Sequence, residues 1–432
     1  MALASCPPFT PASGRRQSTE RPLAPFGLVA LLDDHFDGQE RVMPAAAITA
    51  LSKLVVRAGR IGWNCPCSEN ENLEEEPVGA RDRYFDAGDP SSKGRACRWR
   101  QLLTPAVLSA CIGWATAAVA ADTINAYSIW PENWARPMLA EFETATGIKV
   151  NFLRFSSGEA LARVIAEKNN PKVDVLFGGP VETFAAGIKE GVFEPYKPPA
   201  VATLPARFKE VDGYWTAIAD DPLVFMTNQK FLTENKLSAP ASWDDLLSPV
   251  YKGMLQMADA RTSGTAVTRI FSVLEVNGRD EEKAFAYLKK LRANVQLYTK
   301  SGGGGTLPVG LGQAAGGIFF IVDALDTKAK GYDVAISFPK EGIGTSAEAI
   351  ALIKGAKNPD AGKKLIDWAT SPAMQGLFAK HKINFVPAHP EVKTEASLAE
   401  VLKGAKIFAI DDAYAGANRK RIVERWVAEV LP

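Results

Sequence analysis

The chain has 432 residues, of which 50 are Lys or Arg and 49 are Asp or Glu. This balance excludes an electrostatic attraction to nucleic acid or to an anionic membrane surface. The length suits two or three domains, and all five cysteines lie in the first 120 residues, so a disulfide framework and a thiolate metal site are excluded for the rest of the chain.

Residues 98–120 are predicted to form a secretory signal peptide. Basic residues precede an apolar run that ends in the small residues Ala118-Val119-Ala120, which predicts cleavage after Ala120 and a periplasmic product. The sequence "LSAC" leaves open a lipoprotein signal with Cys111 lipidated, but the apolar residues that follow favour cleavage. Residues 1–97 lack sustained periodicity and are expected to be a disordered or mis-annotated extension.

From Ala121 onward, strand and helix patterns alternate. Strands are predicted at "TINAYSI", "IKVNFLRF" and "VDVLFGG", and helices at "NWARPMLAEFETATG", "SSGEALARVIAEKNNP" and "VETFAAGIKEG". Short apolar strands between amphipathic helices are typical of a doubly wound α/β layer. The passage "YWTAIADDPLVFMTN" has no helix signal, and we interpret it as the crossing into a second lobe.

The second lobe shows the same alternation. Strands are predicted at "KGMLQMAD", "VQLYTK", "IFFIV", "DVAISFP" and "AIALIKG". The helices between and after them include two that begin with proline, "NPDAGKKLIDWAT" and "SPAMQGLFAK", and an amphipathic helix at the C-terminus.

A search for catalytic motifs finds none. After residue 120 the only histidines are His381 and His389, and no HExxH, GxSxG or Walker sequence occurs. The segment "GLGQAAG" misses the dinucleotide spacing and "SGGGG" lacks a Lys-Ser/Thr partner, so both predict flexible turns. We expect no catalytic residue, no metal site and no cofactor.

A turn of small hydroxyl residues and glycine opens a helix after a strand at two places. Ser156-Ser157-Gly158 follows "IKVNFLRF", and Thr262-Ser263-Gly264-Thr265 follows "KGMLQMADAR". Each turn places N–H and hydroxyl groups at the carboxyl edge of a sheet, where α/β sheets bind ligands and a helix dipole favours an anion. Plain N-capping is the alternative, and the occurrence of one turn per lobe makes anion binding an equal hypothesis.

Six segments, in their order and spacing, resemble the extracytoplasmic solute-binding proteins of ABC importers. The resemblance is to the ferric-iron branch and its relatives that take phosphonates and sugar phosphates, and it covers nearly all of 121–432. It implies a type II periplasmic-binding-protein fold: two lobes, each a doubly wound mixed sheet flanked by helices, joined by crossing hinge strands and closing on a ligand. The segments are "AEFETATGIKVNF", "SSGEALARVIAEKNNPKVDVLFGG", "GIKEGVFEPY", "PASWDDLLSPVYKGML", "TSGTA" and "NPDAGKKLIDWATSPAMQGLFAKH".

The chain departs from that family at the iron ligands. Ferric members use an adjacent tyrosine pair at the segment matching "IFFIVDALD", where this chain has Ile321-Val322-Asp323 and no adjacent tyrosines occur. The family's His and Glu ligands fall near Trp130 and Gly179, so the resemblance does not imply an iron site. The turns that hold an anion in that branch are matched by Ser156, Ser157, Thr262, Ser263 and Gly264.

Three further residues have alternative roles. Asp221 and Asp323 fall near the expected cleft, although Asp221 in "DDP" is equally a turn former. Trp130 either stacks on a ligand or is a core aromatic. The complete set of expected ligand-binding residues is Ser128, Trp130, Ser156, Ser157, Gly158, Gly179, Asp221, Thr262, Ser263, Gly264, Thr265 and Asp323.

The expected function is capture of a small anionic or zwitterionic solute, such as a phosphonate or sugar phosphate, for an ABC permease. The alternatives are a ferric-iron or polyamine binding protein, an extracytoplasmic enzyme on the same scaffold and a sensor subunit of a membrane receptor. We expect a monomer with no nucleic-acid partner. The expected domains are an extension (1–97), a signal peptide (98–120), lobe 1 (121–220 and 340–390) and lobe 2 (221–339 and 391–432).

Overall fold

The computed structural model describes residues 123–431. The predicted signal peptide, its cleavage after Ala120, the alternative at Cys111 and the extension over 1–97 therefore lie outside the described residues. Within 123–431, no helix is both long and apolar enough to cross a membrane.

Strands and helices alternate along most of the described chain. The strands are β1 (Thr123–Ser128), β2 (Lys149–Arg154), β3 (Val175–Pro180), β4 (Phe193–Glu194), β5 (Thr216–Asn228), β6 (Leu255–Ala258), β7 (Val295–Thr299), β8 (Gly316–Phe320), β9 (Val334–Ser337), β10 (Ile343–Ile353), β11 (Val386–Pro387) and β12 (Ile407–Ala409). The helices are α1 (Glu132–Thr146), α2 (Ser157–Ala166), α3 (Val181–Lys189), α4 (Gln229–Glu234), α5 (Gly264–Val276), α6 (Glu281–Arg292), α7 (Thr306–Gly310), α8 (Ile321–Ala329), α9 (Pro359–Thr370), α10 (Pro372–Gln375), α11 (Leu377–Lys380), α12 (Ala396–Leu402) and α13 (Asp412–Glu429).

The first sheet has the strand order β2-β1-β3-β10-β5. β1 lies parallel to β2 and β3, whereas β10 is antiparallel to both β3 and β5. Because β1, β2 and β3 are parallel, the loops that follow them meet at one edge of the sheet. The cap turn at Ser156 lies on one of these loops, and Gly178 and Gly179 lie at the end of β3.

β5 belongs to both sheets and joins the two lobes. Its first half, up to Pro222, pairs with β10, and its second half pairs with β8 and β9. All 13 of its residues are buried. The change of partner occurs at Pro222, whose missing N–H removes one ladder hydrogen bond at the position where the strand passes between the sheets.

The second sheet has the order β5-β8-β6-β7, with β6 parallel to both of its neighbours. Its helix α5 follows β6 through the second cap turn, and α8 follows β8 directly. α5 is buried from Gly264 to Leu274, so it lies in the interior of the molecule and not on a lobe surface.

The helical patterns of the sequence are confirmed where their apolar faces are clear. α1 buries Trp134, Met138 and Phe142 on one face, as the spacing predicts, and it ends at Gly147, whose φ of 73° is the left-handed conformation that favours glycine. α13 packs on both lobes: Gly416 lies against Ala185 of α3, and Trp426 meets the ring of Tyr298 edge-on. The expected lobe boundaries remain predictions.

Two local predictions can be compared with the structure. The "SGGGG" segment forms a turn, as predicted, because Gly302–Gly305 is a 3₁₀ turn that continues into α7, and its flexibility stays a prediction. A side chain at Gly302 would collide with Thr265, so glycine allows this turn to pack against the start of α5. The segment "SPAMQGLFAK" forms two short helices that meet at Gly376 rather than one continuous helix.

Candidate functional site

A cavity lies between the loops that follow the strands of the two lobes. Its lining comes from the starts of α2, α3, α5 and α8, from β5 and β10, and from the 3₁₀ turn at Gly302. Nine of the twelve expected site residues line it: Trp130, Ser156, Ser157, Gly179, Asp221, Ser263, Gly264, Thr265 and Asp323.

The other three expected residues do not line the cavity. Ser128 is buried and its hydroxyl donates to the carbonyl of Trp130 at 2.9 Å. Thr262 donates its hydroxyl to the carbonyl of Lys300 at 2.6 Å. Gly158 donates its N–H to the carbonyl of Thr262 at 2.8 Å, so these two residues join the lobes beside the cavity.

The start of α5 provides the most electropositive backbone at the cavity. Its first turn contains no acidic residue, and the side chain of its N-cap, Ser263, does not cap the helix. The first N–H groups of a helix and its dipole both favour an anion. The hydroxyls of Ser263 and Thr265 line the cavity beside these N–H groups and can donate to the same ligand.

The start of α2 lies beside the start of α5 at the cavity. A side chain at Gly264 would approach the Oγ of Ser157 to 2.7 Å, so the two helix starts are in contact. Arg154 lies just before this turn, lines the cavity and donates from Nη1 to the Oγ of Ser156 at 3.2 Å. The guanidinium of Arg154 therefore stands beside the Ser156 hydroxyl at the second helix start.

Asp221 and Asp323 line the same cavity, and Asp323 lies close enough to Arg154 for their charges to interact. Asp221 is 1% exposed and accepts from the N–H of Val322 at 3.4 Å. Burial raises its pKa well above the usual range, and the charges of Glu348 and Asp323 raise it further. Burial and then the charge of Asp326 raise the pKa of Asp323 to about 7, while Arg154 acts in the opposite direction.

Glu348 is a third carboxylate in the cavity, which the sequence analysis missed. It lies on β10, is 3% exposed, and its Oε2 accepts from Trp130 Nε1 and from the N–H of Gly179, both at 2.7 Å. Burial raises its pKa to about 8 although both hydrogen bonds lower it. The signal was available, because an acidic residue alone in the apolar run of a buried strand needs a partner.

Arg154 was also missed, as were Gly302 and Gly303 of the glycine-rich turn. Arg154 ends a predicted strand directly before the cap turn, a position from which a side chain reaches the carboxyl edge of the sheet. Burial lowers the pKa of its guanidinium, whereas Asp323 and Glu159 raise it. The turn could not be placed in the cavity from sequence, because its position depends on the packing of Gly302 against Thr265.

Trp130 is a packed aromatic residue that orients Glu348. Its ring stacks on Phe385 with the centroids 4.5 Å apart and meets Phe177 edge-on at 5.0 Å. A side chain at Gly178 would collide with the ring. Of the two roles considered for Trp130, the structure shows that of a core aromatic residue, because its ring packs among other side chains. Its indole N–H donates to Glu348 in the site.

The described residues contain no group of three or more His, Cys, Asp and Glu side chains arranged to hold a metal ion. His381 and His389 are bonded to Glu141 and Thr203, outside the cavity. The lining residues within 123–431 include no histidine, cysteine or tyrosine. What the cavity offers is hydrogen-bond donors together with carboxylates, a combination suited to holding a polar solute that carries both acceptor and donor groups.

Comparison of the sequence with known proteins gives a family. Residues 137–406 match the family described as bacterial extracellular solute-binding protein. An uncharacterized protein of Haemophilus influenzae is 33% identical over 290 residues, which cover 66% of this chain and 83% of that protein. A putative 2-aminoethylphosphonate-binding periplasmic protein of Salmonella typhimurium is 26% identical, covering 63% and 80%.

One further relative and one solved structure bear on the role and the fold. A probable ABC transporter periplasmic-binding protein of Sinorhizobium fredii is 28% identical over 66% of this chain and 80% of its own length. The periplasmic binding protein AfuA of Actinobacillus pleuropneumoniae, solved with fructose-6-phosphate, has 28% identity and a TM-score of 0.68, covering 72% of this chain and 98% of that one.

The same fold occurs in the ferric ion-binding protein A of Pasteurella haemolytica. That protein is 21% identical with a TM-score of 0.61, and the match covers 72% of this chain and 98% of that one. The fold is therefore the type II periplasmic-binding-protein fold, as expected. The chain belongs to the bacterial extracellular solute-binding proteins and is a substrate-binding component of an ABC transporter.

Proposed function

We propose that the solute is a small molecule with a phosphate or phosphonate group at one end and hydrogen-bond donors, either hydroxyls or an ammonium, at the other. The observation that carries the proposal is the combination of donors and carboxylates that line one cavity. The donors come from the starts of α2 and α5 and from Arg154, and the carboxylates are Asp221, Asp323 and Glu348.

The hydrogen-bond donors of the cavity suit a phosphorus oxyanion. Such a group has three or more acceptor oxygens, and the uncapped start of α5, the hydroxyls of Ser157 and Ser263 and the guanidinium of Arg154 supply donors around one volume. The support from relatives is consistent: the Salmonella relative is named for 2-aminoethylphosphonate and the AfuA structure contains fructose-6-phosphate.

The carboxylates of the cavity would repel a purely anionic ligand. An ammonium or several hydroxyls on the far end would instead donate to Asp221, Asp323 and Glu348, and the buried oxygens of Asp221 and Glu348 otherwise cost desolvation energy. An aminophosphonate and a polyhydroxy phosphate both meet this requirement. The alternative ligand is a polyamine, which would use only the carboxylates.

Calorimetry with three probes separates these classes: fructose 6-phosphate, 2-aminoethylphosphonate and spermidine. Ser157→Ala combined with Ser263→Ala should weaken either phosphorus ligand by about 1.5–3 kcal/mol per lost charge-assisted bond, roughly 10- to 150-fold in Kd. Asp323→Asn should weaken the aminophosphonate more than the sugar phosphate, because an amide still accepts from a hydroxyl but no longer carries the charge that an ammonium needs.

Ser397→Ala on exposed α12 is the matched control and should leave every Kd unchanged. Binding of spermidine that survives the double serine change and is lost in Asp323→Asn would show that the polyamine is the ligand. If none of the three probes binds, the proposed ligand class is wrong.

The finer parts of the role are also proposals. We expect a monomer that is exported to the periplasm, delivers its ligand to a membrane permease and returns it chemically unchanged. Among the described residues, those that line the cavity include no histidine, cysteine or tyrosine. This lining supports binding without turnover. Phosphorus NMR of a bound probe before and after long incubation checks this, since any new resonance would identify an enzyme.

A further inference from the structure

Glu182 is fully buried on the first turn of α3, and both of its oxygens are bonded to hydroxyls from other elements. Oε1 accepts from Thr268 of α5, and Oε2 accepts from Ser346 of β10 at 2.7 Å. One carboxylate of the first lobe is therefore bonded to a helix of the second lobe and to a central strand of the first sheet.

The two helices joined by this contact both begin at the ligand cavity. Pro180, which precedes α3, lines the cavity, and a side chain at Gly264 would lie 2.7 Å from its Cγ. Thr268 lies one turn into α5, where its hydroxyl also bonds the carbonyl of Gly264 at 3.1 Å. Separation of the two helix starts would therefore also separate Glu182 from Thr268.

A cationic side chain, Arg419 of α13, lies within electrostatic range of Glu182. The Nε and Nη2 atoms of Arg419 are buried and have no hydrogen-bond acceptor within the described chain. These two atoms form the edge of a guanidinium that bonds a carboxylate with two parallel hydrogen bonds. The charge of Arg419 lowers the pKa of Glu182 against the larger effect of burial, so the two groups are within electrostatic range.

The other charged groups around this position do not replace Glu182 as the partner of Arg419. Asp220 is already bonded to Arg207 at 2.6 Å and to the hydroxyl of Thr345 at 2.7 Å. Burial and then the charge of Glu182 raise the pKa of Asp412 to about 8, which favours its neutral form at neutral pH. Arg419 thus remains a buried cation whose bidentate edge is unused while Glu182 is held by hydroxyls.

We propose that Glu182 exchanges partners as the lobes move: it is held by Thr268 and Ser346 when the lobes are closed, and by Arg419 when α5 withdraws from α3. Glu182 is then a positioning residue that sets the balance between open and closed forms without touching the ligand. The unpaired guanidinium disfavours the closed form, and ligand contacts in the cavity offset that cost. This inference does not depend on which solute binds.

The hydrogen bond from Gly158 to Thr262 supplies a direct measure of closure, because it crosses between the lobes. Hydrogen–deuterium exchange at the Gly158 amide of the full chain, without ligand, reports the fraction of time that this bond is open. Thr268→Val removes the closed-state partner and should speed exchange at Gly158 by about fivefold or more. Arg419→Gln removes the open-state partner and should slow it by a similar factor.

The opposite signs are the decisive result, since a role in stability alone would make both variants exchange faster. Thr370→Val is the matched control: Thr370 is equally buried and bonds the carbonyl four residues earlier, but it lies on α9, away from the cavity. It should leave Gly158 unchanged. Arg419→Lys, which keeps the charge but loses the bidentate edge, replaces Arg419→Gln if that variant does not fold, and should also slow exchange. Exchange that is faster or unaltered in the arginine variants would overturn the proposal.

Discussion

The backbone N–H of Gly158 and the carbonyl oxygen of Thr262 are 2.8 Å apart and form a hydrogen bond between the two lobes. A Cβ at residue 158 would collide with the neighbouring carbonyl oxygen of Arg261. Because glycine has no side chain, it allows the two backbones to come this close. The close approach is needed only when the lobes are closed.

Gly158→Ala should weaken ligand binding by about tenfold or more while leaving the ligand-free protein as stable as before, or up to about 1 kcal/mol more stable, because alanine favours a helix. Calorimetry with the probe that binds and thermal unfolding without it measure the two effects. Gly376→Ala, whose added atom would meet nothing closer than 3.3 Å, is the control. A variant with normal affinity would show that the lobes need not approach this closely.

Ferric salts should not produce a visible charge-transfer band with this protein. Such a band requires a tyrosinate on the iron, and no tyrosine lines the cavity among residues 123–431. Optical titration of the full chain with ferric citrate, with a parallel measurement of bound iron, checks the expectation. Stoichiometric iron with a band in the visible range would mean that a site outside this cavity holds the metal.

The buried carboxyl of Glu348 should make the ligand-free protein less stable as the pH rises. Its pKa is about 8 in the folded protein against a usual 4.5, so the folded state binds more protons than the unfolded state between these values. Its contribution to stability is complete below about pH 4.5 and is lost as the pH rises through about 8. Glu348→Gln, which keeps acceptors for Trp130 and Gly179, should flatten this part of the curve of Tm against pH.

Glu132→Gln is the control for that measurement, because Glu132 is 64% exposed in a surface ion pair. It should change the pH dependence little. Equal slopes for wild type and Glu348→Gln would show that Glu348 is not the group whose protonation stabilises the folded protein.

The ion pair between Lys300 and Glu159 joins the two lobes at 2.6 Å but should add little to affinity. The Lys300 side chain is 69% exposed, and an exposed pair contributes at most about 1 kcal/mol at low salt. Lys300→Gln should therefore raise the ligand Kd by no more than about fivefold, and the difference should disappear at about 1 M salt. Lys403→Gln, in an exposed pair on α12, is the control. A larger effect that persists in salt would place Lys300 in contact with the ligand.

The sequence predicted the parts of the site that depend on local pattern. The hydroxyl-glycine turns at Ser157 and Ser263 could be placed at helix starts because a strand precedes each one, and both line the cavity. The long strand β5 was recognisable as a crossing because "YWTAIADDPLVFMTN" contains no helix signal. These features need only the order of elements along the chain.

The missed parts depend on contacts between distant residues. Glu348 reaches the cavity because β10 lies between β3 and β5, and no local pattern places a strand from near residue 350 beside one from near residue 180. Gly302 was interpreted as part of a flexible turn, since its packing partner Thr265 lies on a different element. Gly158 was expected in the ligand site, but its role is an approach between backbones that only the tertiary structure reveals.

The position of β10 in the middle of the first sheet has a consequence for the order in which the protein is made. β3 and β5 are synthesised more than a hundred residues before the strand that pairs with both of them. Until residues 343–353 are available, these two strands each lack a neighbour and the first lobe cannot complete its sheet. We therefore expect nascent chains that end near residue 340 to be digested rapidly by protease and the full-length chain to resist, so that the late arrival of one strand keeps the polypeptide unfolded for most of its synthesis.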